Sequence, residues 1–303
     1  MFKSLSSRFF NPHVTAVLQA LLVTFLWSTS WVLIKFGLAD IPALTFAGLR
    51  YTTAFLCLVP FTLTPTSYTS LHRLSIADWR RLIVLGFLFY TLTQGAQFLA
   101  LAYLPAVTTT LLLNLTTIVV ALMGMGMLSE QPKLSQWGGI CLNLCGVFLY
   151  FFPVSLPAGQ IFGIFVAVVG VLANAGSSIL GRYVNRTSAI SPLQVTTVSM
   201  GVGAILLLIT GCLTQGFPNL NSTHWAIIVW LAVVNTAFAF TLWNHTLRIL
   251  SAVESSIINS TMLIQIAVLA WIFLGEQISW REGVGMLLAG LGVLIVQLRR
   301  QQE

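Results

Sequence analysis

Ten apolar runs of about 20 residues, parted by short polar breaks, leave this chain one kind of fold. The runs lie near 15–38, 43–63, 82–102, 107–128, 135–152, 160–182, 192–213, 225–246, 252–273 and 281–298. Each is long enough to cross the hydrocarbon core of a bilayer. Backbone polar groups inside that core must bond within their own segment, which makes each run a helix. An all-α integral membrane protein with ten transmembrane helices is therefore expected. Charge agrees with this reading. Only 7% of the chain is charged and 57% is hydrophobic, whereas a water-soluble domain carries roughly 25% charged residues.

The runs fall into two sets of five. Leu101-Ala102-Tyr103-Leu104-Pro105-Ala106-Val107 is answered by Leu247-Arg248-Ile249-Leu250-Ser251-Ala252-Val253, about 146 residues later. At the same offset Leu128-Ser129-Glu130-Gln131 meets Leu274-Gly275-Glu276-Gln277, Gly139 meets Gly285 and Gly146 meets Gly292. The units are residues 1–152 and 153–303. Five is odd, so a second copy enters the bilayer upside down. Two inverted five-helix repeats recur among secondary transporters, with the substrate held between them near the midplane.

The net charge of +7 is topological. With a cytoplasmic N-terminus, all of the 14 Lys and Arg residues except Lys35, Arg50 and Arg281 fall on the inner side. That asymmetry places both termini in the cytoplasm and the chain in the cell (inner) membrane. It leaves no basic footprint for nucleic acid. Lys3 and Arg8 before an apolar run resemble a secretory signal, but the run is too long and carries Trp27 and Trp31, so it reads as a retained first helix. Cys57, Cys141, Cys145 and Cys212 all lie in spans without His or Cys at ligand spacing, which predicts apolar packing and no metal. No phosphate-binding glycine loop and no ATP-hydrolysing domain is present in the sequence, and no cofactor is expected.

Polar side chains within apolar spans must face protein or water. Thr24, Ser28, Trp31 and Lys35 recur at helical spacing along one face of the first span, with Trp27 beside them. Tyr90, Gln94 and Gln97 do so in the third, and Thr110, Asn114 and Thr117 in the fourth. Asn174 and Ser177 extend a small-residue stripe in the sixth. Trp243 and His245 fall near the end of the eighth, and Asn259, Thr261 and Gln265 in the ninth. These spans are the candidate walls of a central polar cavity. A plainer role for any one hydroxyl or amide is interhelical adhesion, worth about 0.6 kcal/mol. Lys35 and Arg50 are candidates to hold an anionic group such as a carboxylate, or else to anchor the outer face. The acids stand at span ends, so no carboxylate relay crosses the bilayer centre. Glu130 and Glu276 are expected to bond the amides that open the fifth and tenth helices. Gly139, Gly146, Gly283, Gly285, Gly290 and Gly292 allow close helix approach. Gly285-x-x-x-Ala289 serves the fold or a possible homodimer.

These residues resemble the drug/metabolite transporter (DMT) superfamily, in particular its ten-helix EamA-type members. Trp27-Ser28-Thr29-Ser30-Trp31-Val32-Leu33-Ile34-Lys35 is similar to the family's first-helix pattern, and Gly48-Leu49-Arg50-Tyr51 to its second-helix arginine. Leu128-Ser129-Glu130 and Leu274-Gly275-Glu276 resemble its Leu-Gly-Glu signature. Thr241-Leu242-Trp243-Asn244-His245 is similar to the aromatic end of its eighth helix. Where the family carries a mid-helix proline, this chain reads Asn114-Leu115-Thr116-Thr117 and Asn259-Ser260-Thr261-Met262, so a proline kink does not carry over. Asn174 stands where the family commonly has Trp. The resemblance implies a membrane carrier, often an exporter of amino acids or other small metabolites.

The expected function is secondary, non-ATP transport of a small neutral or zwitterionic molecule by alternating access, with lipid as the surrounding partner. The candidate substrate-binding residues are Trp27, Ser28, Trp31, Lys35, Arg50, Gln94, Gln97, Asn114, Asn174, Ser177, Trp243, His245 and Asn259. Two alternatives come from other classes. One is a non-transporting scaffold or receptor. The other is an intramembrane hydrolase or acyltransferase built on Ser177 and His245, although Gly176-Ser177-Ser178-Ile179-Leu180-Gly181 is no nucleophile elbow.

Overall fold

The computed structural model describes residues 12–62, 71, 74–128, 134–152, 158–187, 191–246, 249–250, 258–259 and 261–300. All regular structure among them is helical. Helices α1 (Pro12–Gly37), α2 (Ala43–Thr62) and α3 (Ile76–Tyr103) come first. The next apolar run is divided into α4 (Ala106–Asn114) and α5 (Thr116–Leu128). Then follow α6 (Leu134–Phe151), α7 (Ala158–Thr187), α8 (Pro192–Gln215), α9 (residues 222–246), α10 (Met262–Leu274) and α11 (Trp280–Arg300).

Five of these helices contain stretches long and apolar enough to cross a membrane: α1, α2, α3, α7 and α8. Shorter apolar stretches make up α4–α5, α6, the first part of α9 and α10. Large apolar side chains point outward all round, among them Leu18, Leu56, Phe148, Phe165, Leu213 and Trp271. In water such a surface would drive association, and in a bilayer it is the solvated face. The chain is a multi-pass membrane protein.

Helix starts are set by local chemistry. Ser75 and Asp78 form a capping box that begins α3 before its apolar run starts. Ser191 with Gln194 and Asn221 with His224 do the same for α8 and α9. Ser279 and Glu282 exchange equivalent bonds at α11.

α2 packs on α8, and α6 on α11, while α1, α3, α4, α5, α7, α9 and α10 meet in the middle. The core there is built from Trp31, Ile34, Phe46, Phe98, Leu101 and Ile266, with Phe46 and Phe98 meeting edge to face at 5.2 Å. The α6–α11 seam shows why glycine is needed. A Cβ at Gly146 would fall on the Ala289 amide and the Gly285 carbonyl. A Cβ at Gly292 would fall on the Asn143 amide and the Gly139 carbonyl. Shifting every residue of the first contact by the sequence offset gives the second. Asn143 Nδ2 closes the seam with a 2.8 Å bond to the Ala289 carbonyl. Gly285-x-x-x-Ala289 is thus used inside the fold. Gly283 and Gly290, expected to pack helices closely, do not: a Cβ at Gly283 would meet nothing within 4 Å, and one at Gly290 only Leu263 at 3.7 Å. Cys141 and Cys145 lie on the exposed face of α6.

Four interruptions also pair off. Residues Phe87–Thr93 in α3 and Val233–Phe238 in α9 are π turns, starting at positions 87 and 233. Thr93 and Thr236 each return a hydroxyl to the carbonyl five residues back, filling the wider turn. Leu115 divides α4 from α5, and Thr261 precedes α10. At both the amide turns to the carbonyl three residues back rather than four. The expected unbroken fourth span is therefore broken, and without proline. Thr109, Thr110 and Asn114 each donate to the carbonyl four residues back, and Thr261 to that of Ile258. Such back-bonding competes with the helical ladder and bends it.

The turns after α1, α3, α8 and α10 lie at one end of the bundle, the Lys35 end, and the start of α3 lies at the opposite, Arg81 end.

Candidate functional site

At the Lys35 end, one junction joins four chain segments. Lys35 Nζ donates to the Leu101 carbonyl at 2.6 Å and the Leu104 carbonyl at 2.7 Å, the unpaired acceptors at the end of α3. The next residues open α4, and the Glu276 carboxylate accepts from the Ala106 amide at 2.6 Å and the Val107 amide at 3.1 Å. Gly275, with φ of 67°, ends α10, and its amide and that of Glu276 both return to the Ala270 carbonyl. Only a residue at ease in the left-handed region makes this turn cheaply. The Leu274-Gly275-Glu276 signature is thereby explained: helix end, reversal, cap.

Glu276 was expected at the start of the tenth helix, but α11 is capped by its own Ser279–Glu282 box, and Glu276 serves α4 instead. Glu130 and Glu254 lie outside the described residues. Replacing Glu276 by Gln is expected to lower stability by about 1–2 kcal/mol, the worth of a charged helix cap. A reduced unfolding temperature of detergent-solubilised protein would show it.

The same end is tied elsewhere. The Leu44 amide donates to Gln215 Oε1 at 2.8 Å, Thr45 Oγ1 to the Gly216 carbonyl at 2.9 Å, and His224 Nε2 lies 3.1 Å from Asp40 Oδ2. Every one of these contacts links residues before 152 with residues after 153.

Deeper, the stripe on α1 faces α10. Ser28 Oγ donates to Gln265 Oε1 at 2.9 Å, and Gln265 Nε2 reaches Thr261 Oγ1 at 2.9 Å and Thr24 Oγ1 at 3.3 Å. Thr261 stands at the helix break, so the network holds α1 against it. Trp27 meets α9, its ring 5.3 Å from both Phe240 and Trp243, and its indole N–H is buried without a partner among the described residues. Asn235, absent from the candidate set, sits fully buried in the second π turn. Its amide donates to the Leu26 carbonyl and to Thr29 Oγ1, while its Oδ1 is buried and unpartnered among the described residues. The wide turn aims it at α1. A lone Asn without helical companions gave no stripe to read.

Arg50, unlike Lys35, is buried within the bundle. It is 4% exposed. Its Nε donates to Thr236 Oγ1 at 3.2 Å, and its guanidinium carbon lies 5.2 Å from the Tyr51 ring centre and 5.8 Å from that of Phe98. Among the described residues no carboxylate forms an ion pair with it. Withdrawing an ion from water costs several kcal/mol even after relaxation, and aromatic faces return about 2 kcal/mol. The remainder is not offset by these contacts. Beside it, Tyr51 OH donates to Gln94 Oε1 at 2.7 Å, and the Tyr51 and Tyr90 rings lie 5.6 Å apart. The first π turn thus carries Tyr90 to the same place as the second carries Thr236.

The remaining candidates divide. Asn174 Nδ2 lies 3.4 Å from Thr116 Oγ1, and Asn114 bonds its own helix beside the break. Trp31 is buried in the core and Gln97 is half-buried. Ser177 donates to the Asn174 carbonyl at 2.9 Å, and His245 is exposed near the Arg81 end. No hydrogen bond joins Ser177 and His245. Asn259 is exposed just before the second break. Lys35 and Arg50 therefore do different work: the first secures helix ends, and the second is buried unpaired.

Comparison with known proteins agrees with this architecture. A profile of the EamA-like transporter family matches residues 14–152 and again residues 161–298. The chain is 29% identical to the uncharacterized transporter YvbV of Bacillus subtilis (strain 168), over 95% of this chain and 93% of that one. It is 25% identical to a probable amino-acid metabolite efflux pump of Salmonella typhimurium, over 92% of this chain and 94% of the pump. A protein of known crystal structure shares the fold with a TM-score of 0.66 at 17% identity, covering 95% of this chain and 99% of that one. The chain belongs to the EamA-like transporter family and is a multi-pass membrane transporter.

Proposed function

We propose that this protein carries small zwitterionic or neutral metabolites, amino acids or close relatives, across the cytoplasmic membrane by alternating access. The observation that carries the reading is Arg50: a permanent charge, buried among aromatic rings and amides without a carboxylate partner among the described residues. A substrate carboxylate, which takes two parallel bonds from a guanidinium, would supply the missing counter-charge. The indoles of Trp27 and Trp243 and the amides of Gln265 and Asn235 offer apolar and polar contacts to the rest of such a molecule. Export is the favoured direction, in line with the name of the Salmonella relative. An ion or substrate gradient supplies the energy.

The moving parts are two inverted five-helix halves, residues 1–152 and 153–303, with both termini in the cytoplasm. Support comes from the reciprocal seam of α6 and α11 and from the paired interruptions at 87 and 233 and at 115 and 261. Rocking one half against the other parts the Lys35–Glu276 junction at one end while the π turns and breaks absorb the bend.

Purified protein in proteoliposomes loaded with unlabelled amino acids is expected to exchange them for labelled ones, saturably. Reporter fusions at the two termini are expected to show the same side. Absence of exchange across amino acids and related metabolites, with the protein folded, would favour the scaffold reading. Termini on opposite sides would sink the inverted halves.

A further inference from the structure

α10 and α11 are joined by a short turn but touch only through a few side chains, without close backbone packing. α11 packs along α6, and a cleft of about 560 Å³ opens between the two neighbours. Its walls are Leu263, Ala267, Trp271, Met286, Leu287 and Leu291. Gly283 and Gly290 line it two helical turns apart. Since a Cβ at either would meet open space or a single leucine methyl, these glycines widen the cleft rather than seat a helix.

The cleft has a defined depth. It runs from Thr261, at the helix break, to Gln277 and Trp280 at the Lys35 end. Along α10 that is about 20 Å at 1.5 Å per residue. One leaflet's share of the hydrocarbon core is about 15 Å. Trp280, almost fully exposed, marks the level of the lipid headgroups. The cleft therefore reaches from the interface to about mid-membrane, the depth of one acyl chain.

At its mouth a second cavity of about 300 Å³ begins, sharing Gln277 and Ile278 with the first. This one is polar. Arg281, Glu282, Glu276, Tyr150, Thr108 and Gln160 line it. The Tyr150 and Thr108 hydroxyls bond each other at 2.9 Å, and Glu276 is occupied by the α4 amides. Glu282 keeps only a cap bond, to the Ser279 amide. Among the described residues no ion pair ties exposed Arg281 to either acid. Charges of both signs at that level, over an apolar slot one leaflet deep, suit a lipid with a zwitterionic headgroup.

We propose that the two joined cavities bind a glycerophospholipid with an amine-bearing zwitterionic headgroup. It comes from the leaflet at the Lys35 end. One acyl chain lies in the α10–α11 cleft, the phosphate meets Arg281 and the ammonium meets Glu282. The lipid acts as a wedge, setting the gap between the break at Thr261 and the turn that carries Glu276. This does not depend on the identity of the transported molecule.

Native mass spectrometry of detergent-purified protein, with phosphatidylethanolamine or phosphatidylglycerol added, tests it. The natural chain is expected to hold one phosphatidylethanolamine, about tenfold more tightly than phosphatidylglycerol, the worth of one bond to a charged group. Gly290→Phe fills the cleft and should abolish the adduct. Leu172→Phe, on the exposed face of α7, should keep it. Arg281→Gln and Glu282→Gln should each erase the headgroup preference while one lipid still binds; Glu282→Gln also weakens the α11 cap, and Arg281→Gln at the exposed surface isolates the headgroup effect. Equal binding of both lipids, or adducts unaffected by Gly290→Phe, would overturn the proposal. So would a dimer that Gly290→Phe dissociates, which would make a second copy the occupant.

Discussion

Replacing Arg50 by Gln is expected to abolish transport of carboxylate-bearing substrates while leaving the protein as stable as before, or more so. The two effects have opposite signs because the charge does opposite things in the empty and loaded states. Empty, it is a buried cation with one hydrogen bond to Thr236 and two aromatic neighbours. Exchanging such a charge for a neutral amide removes a desolvation cost. Loaded with the proposed carboxylate, it would be one half of a desolvated ion pair, whose truncation costs about 2–5 kcal/mol, or roughly 30- to 4000-fold in apparent KM. Arg50→Lys keeps the charge but loses the planar fork, so only part of the activity should return. Exchange kinetics in proteoliposomes, set beside thermal unfolding in detergent, separate the cases. Destabilisation together with lost transport would make Arg50 a structural element. Unchanged kinetics would free it from any role in binding.

The second large effect is at the α6–α11 seam. Gly146→Val and Gly292→Val are each expected to lower stability by about 1–3 kcal/mol or more, because the added atoms meet backbone and not a side chain that can turn away. Because the two contacts are reciprocal, the two penalties should be alike. Gly283→Val, on the same helix but facing open space, should cost far less. The fraction of monodisperse protein in size-exclusion chromatography and its unfolding temperature provide the measure. Equal tolerance at all three sites would mean that the seam does not hold the two halves together.

Much of this architecture was legible because a bilayer leaves few choices. Apolar length located the described helices to within a few residues except at α3, α7 and α10. The capping box at Ser75 and Asp78 starts α3 among polar residues that a hydropathy reading assigns to a loop. α10 starts where Thr261 interrupts the ninth run. The breaks were hidden because their cause is hydroxyl and amide back-bonding from Thr109, Thr110, Asn114 and Thr261, residue types that many unbroken helices contain. The π turns left no signature at all. Polar spacing did reveal that α1 turns Thr24 and Ser28 inward, but not that Gln265 would receive them, since pairing across more than 200 residues is a property of packing. Glu276 could be seen to cap a helix. Which helix depended on the reversal at Gly275 and on Glu282 already serving the nearer one.

Each π turn also sets the angular phase of everything that follows it on its helix. One surplus residue per turn rotates the downstream face by about 100°. Beyond Phe87–Thr93 that face carries Gln94 toward Tyr51, and beyond Val233–Phe238 it carries Phe240 and Trp243 onto Trp27. Relatives that gained or lost a residue in either stretch would present a different set of side chains to the interior with no change in helix packing upstream. Insertions there are thus a compact way for a duplicated scaffold to diversify what it recognises.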